Sequence, residues 1–234
     1  MISDNLTLFF FIIGFTFIFY KYFLLILNKY NPKLLIDDQF NKPQAFHNEP
    51  ISIAGGLGIF FSFLIVSAYF LFFKNLIFIE YLSFGTLFFF LGVVDDLKIN
   101  ISPKIRLILM IIFLILLVKY NNFYIEFTGI EIMDAWLKNS EIFTLVFICL
   151  CFLFIINGAN LIDGYNGLLG IHALIIFVNL FFINFLNGNE ELANLLLFII
   201  LILIIFIYFN FPKAKIFLGD SGSYILGSFV AISV

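Results

Sequence analysis

The sequence predicts an all-α polytopic membrane protein of about eight transmembrane helices, the last of them incomplete. Three observations carry that prediction. Apolar residues make up 63% of the 234-residue chain and charged residues only 12%, whereas a soluble globular domain is about half apolar and a quarter charged. The mean hydropathy is +1.15. The apolar residues fall in successive runs of roughly the 20 that a helix needs to cross about 30 Å of hydrocarbon, and the few charges bunch between them. Helices are expected rather than open sheets, because a strand edge in lipid leaves backbone groups unpaired.

The first run, Leu6–Leu27, is long enough to span. It lacks the basic leader and small-residue cleavage site of a signal peptide, so it is read as the first transmembrane helix. Further runs follow at Ile53–Phe73, Leu76–Val94, Ile105–Val118, Ile142–Ile156, Leu168–Leu186, Leu195–Phe211 and Tyr224–Val234. The shorter ones are expected to borrow a turn from the flanking polar segments or to end around a cavity. The connection 121–141 alternates apolar and polar residues from Tyr124 to Ile132 around Thr128-Gly129, which reads as a short hairpin. The final run is too short to span at 1.5 Å per residue, so the chain is expected to be a piece of something larger.

Orientation follows from Lys and Arg, which concentrate in cytoplasmic loops. The odd-numbered connections hold Lys29, Lys33, Lys42, Lys98, Lys104, Arg106, Lys213 and Lys215; the even ones hold Lys74, Lys119 and Lys138. The N-terminus is therefore expected outside and the odd connections in the cytoplasm. A net charge of −3 without a basic tract argues against nucleic-acid binding. Cys149 and Cys151, both inside one apolar run, suit neither a disulfide framework nor a zinc site. The 37 Phe need no function, since lipid accepts any large apolar side chain.

All the conspicuous polar segments fall on the expected cytoplasmic side. They are His47-Asn-Glu-Pro50 with Gly55-Gly56, then Asp95-Asp96, then Asn157 to Gly167 with Asn160, Asp163 and Asn166, and finally Phe217-Leu-Gly219-Asp220-Ser-Gly-Ser223. Carboxylates at membrane helix ends are costly to bury and mark functional sites, so these four aspartates suggest a shared cation site. Asp95 and Asp96 are adjacent, and on a helix their side chains diverge by about 100°. They cannot easily grip one ion together, so one is expected to bind metal while the other acts as a base or orients a lysine. Each segment also has a plainer reading. The aspartate pair could be a solvated helix terminus; Asp163 and its asparagines could form a turn; Asp220 reads as a helix N-cap, a place that also welcomes phosphate. His47 could be an exposed loop residue, and His172 is read as a helix residue. Gly55-Gly56 would permit close helix packing or close approach of a ligand.

Taken together, these segments resemble the polyprenyl-phosphate N-acetylhexosamine-1-phosphate transferase family of bacterial inner membranes. Four ordered motifs carry the resemblance across residues 47 to 228: His-x-x-Pro with Gly-Gly, Asp-Asp, Asn-x-x-Asn-x-x-Asp-Gly-x-x-Gly, and Phe-x-Gly-Asp-x-Gly-Ser.

The resemblance implies that undecaprenyl phosphate attacks the β-phosphate of a UDP-N-acetylhexosamine, giving a polyprenyl-diphospho-sugar and UMP. It implies one transmembrane catalytic domain over 1–234 that lacks C-terminal helices and a histidine-containing loop. Asp95, Asp96 and Asp163 are implied as catalytic, and Asp220 and Asp96 as ligands of Mg2+, with Mn2+ as an allowed substitute. Substrate contacts are implied at His47, Asn160, Tyr165, Asn166 and Phe217, the last stacking on uracil. A multi-pass inner-membrane location with a cytoplasmic site follows, and a homodimer is kept open. The His-x-x-Pro segment resembles the branch that uses UDP-N-acetylglucosamine for teichoic-acid, O-antigen or common-antigen lipids, because the Lys-x-x-Thr-Pro-Thr-type segment of the muramoyl-pentapeptide branch is absent. The competing readings are an inactive fragment or membrane assembly partner, and a cation-coupled transporter.

Overall fold

A computed structural model describes residues 6–30, 35–37, 50–99, 101–125 and 127–233. Every predicted apolar run within them is a helix. In order these are α1 (Leu6–Tyr30), α2 (Gly55–Lys74), α3 (Ile79–Asp96), α4 (Pro103–Tyr120), α6 (Glu141–Ile162), α7 (Leu168–Leu186), α8 (Glu190–Asn210) and α9 (Gly219–Ser233). The short α5 (Glu131–Asn139) lies between α4 and α6. By length and composition α1, α2, α6, α7 and α8 can cross a membrane. The helices α3 and α4 carry three charged residues each, and α9 has 15 residues.

The expected borrowing occurs. The run ending at Ile156 continues through Asn157 and Asn160 to Ile162, and the run starting at Ile105 begins two residues earlier at Pro103. Pro103 suits a first helical position because its missing N–H would be unpaired there anyway, and Ser102 Oγ accepts the Ile105 N–H.

The hairpin expected around Thr128-Gly129 is not formed among the described residues. Gly129 does turn the chain, at φ +82°. Asp134 Oδ1 then accepts hydrogen bonds from Thr128 N–H at 2.7 Å and Thr128 Oγ at 2.5 Å. That tie folds the segment back onto α5, whose own helical bonds replace a ladder.

The helix α9 is central. It packs against α3 and α6 most extensively, then against α2 and α7, and Ser221 to Phe229 are all buried. Small residues allow this, since they let helix backbones approach where apolar burial gives no preference between helix and lipid. A Cβ on Gly227 would lie 2.9 Å from Ala159 Cβ and from Ile156 Cα. One side of α9 joins a core of α1, α2, α7 and α8 side chains; the other joins a core of α3, α4 and α6. Polar ties hold α1 on α2: Thr16 Oγ and Ser62 Oγ are 2.8 Å apart, and Tyr20 O–H donates to the Gly55 carbonyl at 2.8 Å.

One short sheet was not foreseen. β1 (Ile36–Asp37) pairs antiparallel with β2 (Ile51–Ser52), and Ser52 forms a parallel bridge with Ile216. This pins the segment before α9 to the start of α2. Gly55 and Gly56 N–H then donate to the Phe217 and Leu218 carbonyls at 2.9 and 2.8 Å. These satisfy amides that have no partner within their own helix, which Ala54 cannot cap with a side chain.

Candidate active site

The end of α3 and the start of α9 meet at backbone contact. A Cβ on Gly92 would collide with the Ser221 backbone, and one on Gly56 with the Gly222 backbone nitrogen. The Gly55-Gly56 pair is therefore a packing device between α2 and α9. Three helix ends and the start of α4 are drawn together, and the aspartates lie on them.

Asp95 and Asp96 diverge as adjacent helix residues must. Asp95 forms an ion pair with Arg106 Nη1, in the first turn of α4. Asp96 turns the other way and is 6% exposed. Its Oδ1 accepts the Asp220 N–H at 2.8 Å, and its Oδ2 accepts the Ser221 N–H at 3.0 Å. The expected cap of α9 is thus supplied by Asp96 from α3, and Asp220 is the second residue of the helix rather than its N-cap. The carboxylate arrives from a distant helix because Gly219, at φ +77°, leaves no side chain in its way.

Asp220 is the hub. Its Oδ1 accepts Asn160 Nδ2 from α6 at 2.9 Å, and its Oδ2 lies 3.4 Å from Arg106 Nη1. Asn160 Nδ2 also lies 2.9 Å from Ser223 Oγ, which itself donates to the Asp220 carbonyl at 3.2 Å.

Asp163 follows the end of α6 as its C-cap. No hydrogen bond from the described residues reaches its carboxylate. Burial pushes its pKa up to about 7, and the nearby charges of Asp220 and Asp96 add to the rise. A group in that position gains from a cation.

The residues expected at the nucleotide lie on two loops beside this cluster. Tyr165 is 60% exposed. Asn166 Nδ2 donates to the Pro212 carbonyl at 3.1 Å, so half of its amide serves a loop contact. Phe217 is partly buried, with its N–H on the Ser52 carbonyl at 2.7 Å. The buried Asn210 joins the two loops: its Oδ1 accepts Gly167 N–H at 2.5 Å and its Nδ2 donates to the Ile216 carbonyl at 2.8 Å. His47 lies outside the described residues.

The structure thus brings Asp95, Asp96, Asn160, Asp163 and Asp220 to one cluster, with Tyr165, Asn166 and Phe217 on the adjoining loops. The sequence alone assigns no site role to Arg106, Ser223 or Asn210. Arg106 enters the sequence pattern as loop charge, but an arginine at the edge of an apolar run is costly enough to imply a partner. The donor set is oxygen throughout, as magnesium prefers. Among the described residues no three His, Cys, Asp or Glu converge as a preformed ion cage. That arrangement is compatible with an ion held by one or two carboxylates, waters and substrate phosphates.

Similar proteins carry two kinds of name. A phospho-N-acetylmuramoyl-pentapeptide-transferase of Dictyoglomus turgidum is 32% identical over 195 residues, 80% of this chain and 59% of its own length. An undecaprenyl-phosphate alpha-N-acetylglucosaminyl 1-phosphate transferase of Escherichia coli O157:H7 is 28% identical over 219 residues, 90% of this chain and 58% of that protein. A probable undecaprenyl-phosphate N-acetylglucosaminyl 1-phosphate transferase of Bacillus subtilis is 30% identical over 146 residues, 61% of this chain and 39% of that protein. The chain spans about three fifths of the first two relatives. The family model of glycosyl transferase family 4 matches residues 78–234, from just before α3 through α9, and so takes in the aspartate cluster. With that match over more than half its length, this multi-pass membrane chain belongs to glycosyl transferase family 4.

Proposed function

We propose that the protein transfers N-acetylhexosamine-1-phosphate from a UDP-sugar to undecaprenyl phosphate, releasing UMP, as a membrane step of cell-envelope polysaccharide synthesis. The observation that carries this reading is the convergence of Asp95, Asp163 and Asp220 with Arg106 at the ends of four helices. Phosphoryl transfer requires charge neutralisation and alignment more than covalent machinery, and this cluster offers both. An oxygen of the lipid phosphate forms a bond to the sugar-bearing phosphorus, the bond to UMP breaks, and UMP leaves with the electron pair. Asp95, ion-paired with Arg106, is suited to accept the lipid phosphate's proton. Asp220 would hold a magnesium ion, with Asp163 in place of the expected Asp96, whose two oxygens are taken by the Asp220 and Ser221 amides, and the ion's positive charge would stabilise the diphosphate. Asn160 orients Asp220. Tyr165, Asn166 and Phe217 are suited to the nucleotide end. The site would face the cytoplasm of a bacterial inner membrane, following the lysine and arginine distribution.

For the sugar, the His47 segment favours N-acetylglucosamine or a close epimer. The second reading, N-acetylmuramoyl-pentapeptide, is favoured by the Dictyoglomus relative's identity. UMP release by the purified protein, supplied with undecaprenyl phosphate and each nucleotide sugar in turn, tests the reading. Activity is expected only with a divalent ion. Asp220→Asn is expected to lower turnover by orders of magnitude while the protein stays folded. Near-normal turnover in that variant would remove Asp220 from the mechanism.

A further inference from the structure

We propose that Asp96 is a positioning residue, which clamps the start of α9 and thereby aims Asp220, without itself touching the transferred group or a metal ion. Its carboxylate is the last side chain of α3, 6% exposed, and each oxygen accepts one of the first amides of α9. Those amides have no partner inside their own helix, and the helix dipole favours an anion at that end. Asp220 and Ser221 therefore have their backbone set by a residue more than 120 positions away.

Gly219 gives independent support. A Cβ there would lie 2.8 and 2.9 Å from the two Asp96 oxygens and 3.0 Å from the Ile53 carbonyl oxygen, at a φ of +77°. The backbone has been brought against the carboxylate as closely as a glycine permits. Asp95 contrasts with this. It faces Arg106 at the edge of the cluster, so the adjacent pair divides two tasks: Asp95 meets the site and Asp96 builds it.

The consequence for catalysis rests on the phosphotransfer reading, but the clamp can be measured without it. Residue-resolved hydrogen exchange on the wild type should find the Asp220 and Ser221 amides protected, and unprotected amides there would overturn the proposal. Adding Mn2+ to the wild type should preserve or increase that protection. Loss of protection would mean that the ion draws the Asp96 oxygens away, which also overturns it. In Asp96→Asn, whose Oδ1 can still accept one amide but whose NH2 cannot accept the other, exchange at one or both of these amides should quicken by about tenfold or more. Mn2+ affinity, read by electron paramagnetic resonance, should fall in the same variant. The decisive arm combines Asp96→Asn with Asp220→Asn. A residue acting only through Asp220 adds less than about twofold to the affinity loss of Asp220→Asn alone, whereas an independent ligand multiplies it. A multiplied loss refutes the proposal. If Mn2+ does not bind the wild type, the metal part of the functional reading fails, while the exchange results still decide the clamp.

Discussion

Arg106, in the first turn of α4, is ion-paired with Asp95 at the end of α3, and the same nitrogen lies 3.4 Å from Asp220 on α9. One guanidinium thus offsets two carboxylates that converge from two other helices. Removing it leaves both without their counter-ion in a half-buried setting. Arg106→Gln is therefore expected to lower stability by about 1–3 kcal/mol, discounted from the cost of breaking a fully buried pair because both groups retain some solvent contact. Arg106→Lys should recover part of the loss, since it restores charge without the planar fork. Thermal unfolding in detergent checks this, and an unchanged midpoint in Arg106→Gln would show that the pair does not hold α4 in place.

The raised pKa of Asp163 makes a signed prediction for the metal-free protein. A carboxyl at about 7 in the fold and near 3.8 when unfolded binds more protons folded than unfolded between those values. Stability from this group therefore falls as pH rises from about 4 to 7 and is level above. Asp163→Asn should stabilise the protein at pH 8 and leave it unchanged near pH 4. A divalent ion should reduce the difference at pH 8. Unfolding midpoints at the two pH values, with and without magnesium, measure both; an equal effect of the substitution at pH 4 and pH 8 would count against the shift.

Close packing at the start of α9 predicts a contrast among glycines. Gly56→Ala and Gly92→Ala push a methyl into the backbone at Gly222 and Ser221, where neither helix can yield without moving the aspartates. Each is expected to destabilise by about 1–3 kcal/mol. Gly158→Ala, with nothing within 4 Å of the new methyl, should be neutral or stabilising by up to about 1 kcal/mol, because alanine is the better helix former. Denaturation of the three variants side by side would expose a wrong packing assignment if Gly158→Ala proved the most damaging.

Phe217 and the choice of sugar can be tested together. The Phe217 backbone is held by Ser52 and Gly55, so truncating its ring should spare the loop. If the ring stacks on uracil, Phe217→Ala weakens nucleotide binding by about 0.5–1.5 kcal/mol. In the same UMP-release assay UDP-N-acetylglucosamine or a close epimer should exceed UDP-N-acetylmuramoyl-pentapeptide, because a site fitted to one set of sugar substituents leaves buried groups unpaired with the other. Preference for the pentapeptide would reverse the branch assignment, and unchanged affinity in Phe217→Ala would return the ring to packing.

Apolar run length determined the all-α, membrane-spanning architecture and the order of its helices, because lipid demands length and apolarity and little else. The motifs were equally legible, since a carboxylate at the end of a membrane helix is too costly to be incidental. The limits of the sequence appear in Asp95 and Asp96. They are neighbours of identical chemistry, yet one meets Arg106 and the other caps α9. That division rests on hydrogen bonds spanning 124 and 125 positions, which no local periodicity encodes. At α5 a local contact decided instead, where the Thr128–Asp134 tie, six positions apart, outweighed an alternating pattern. Asn210, at the end of α8, joins two loops by contacts that no periodicity marks. Local composition chose the helices; the small residues Gly56, Gly92 and Gly219 chose how closely they meet, and only that closeness assigned each aspartate its partner.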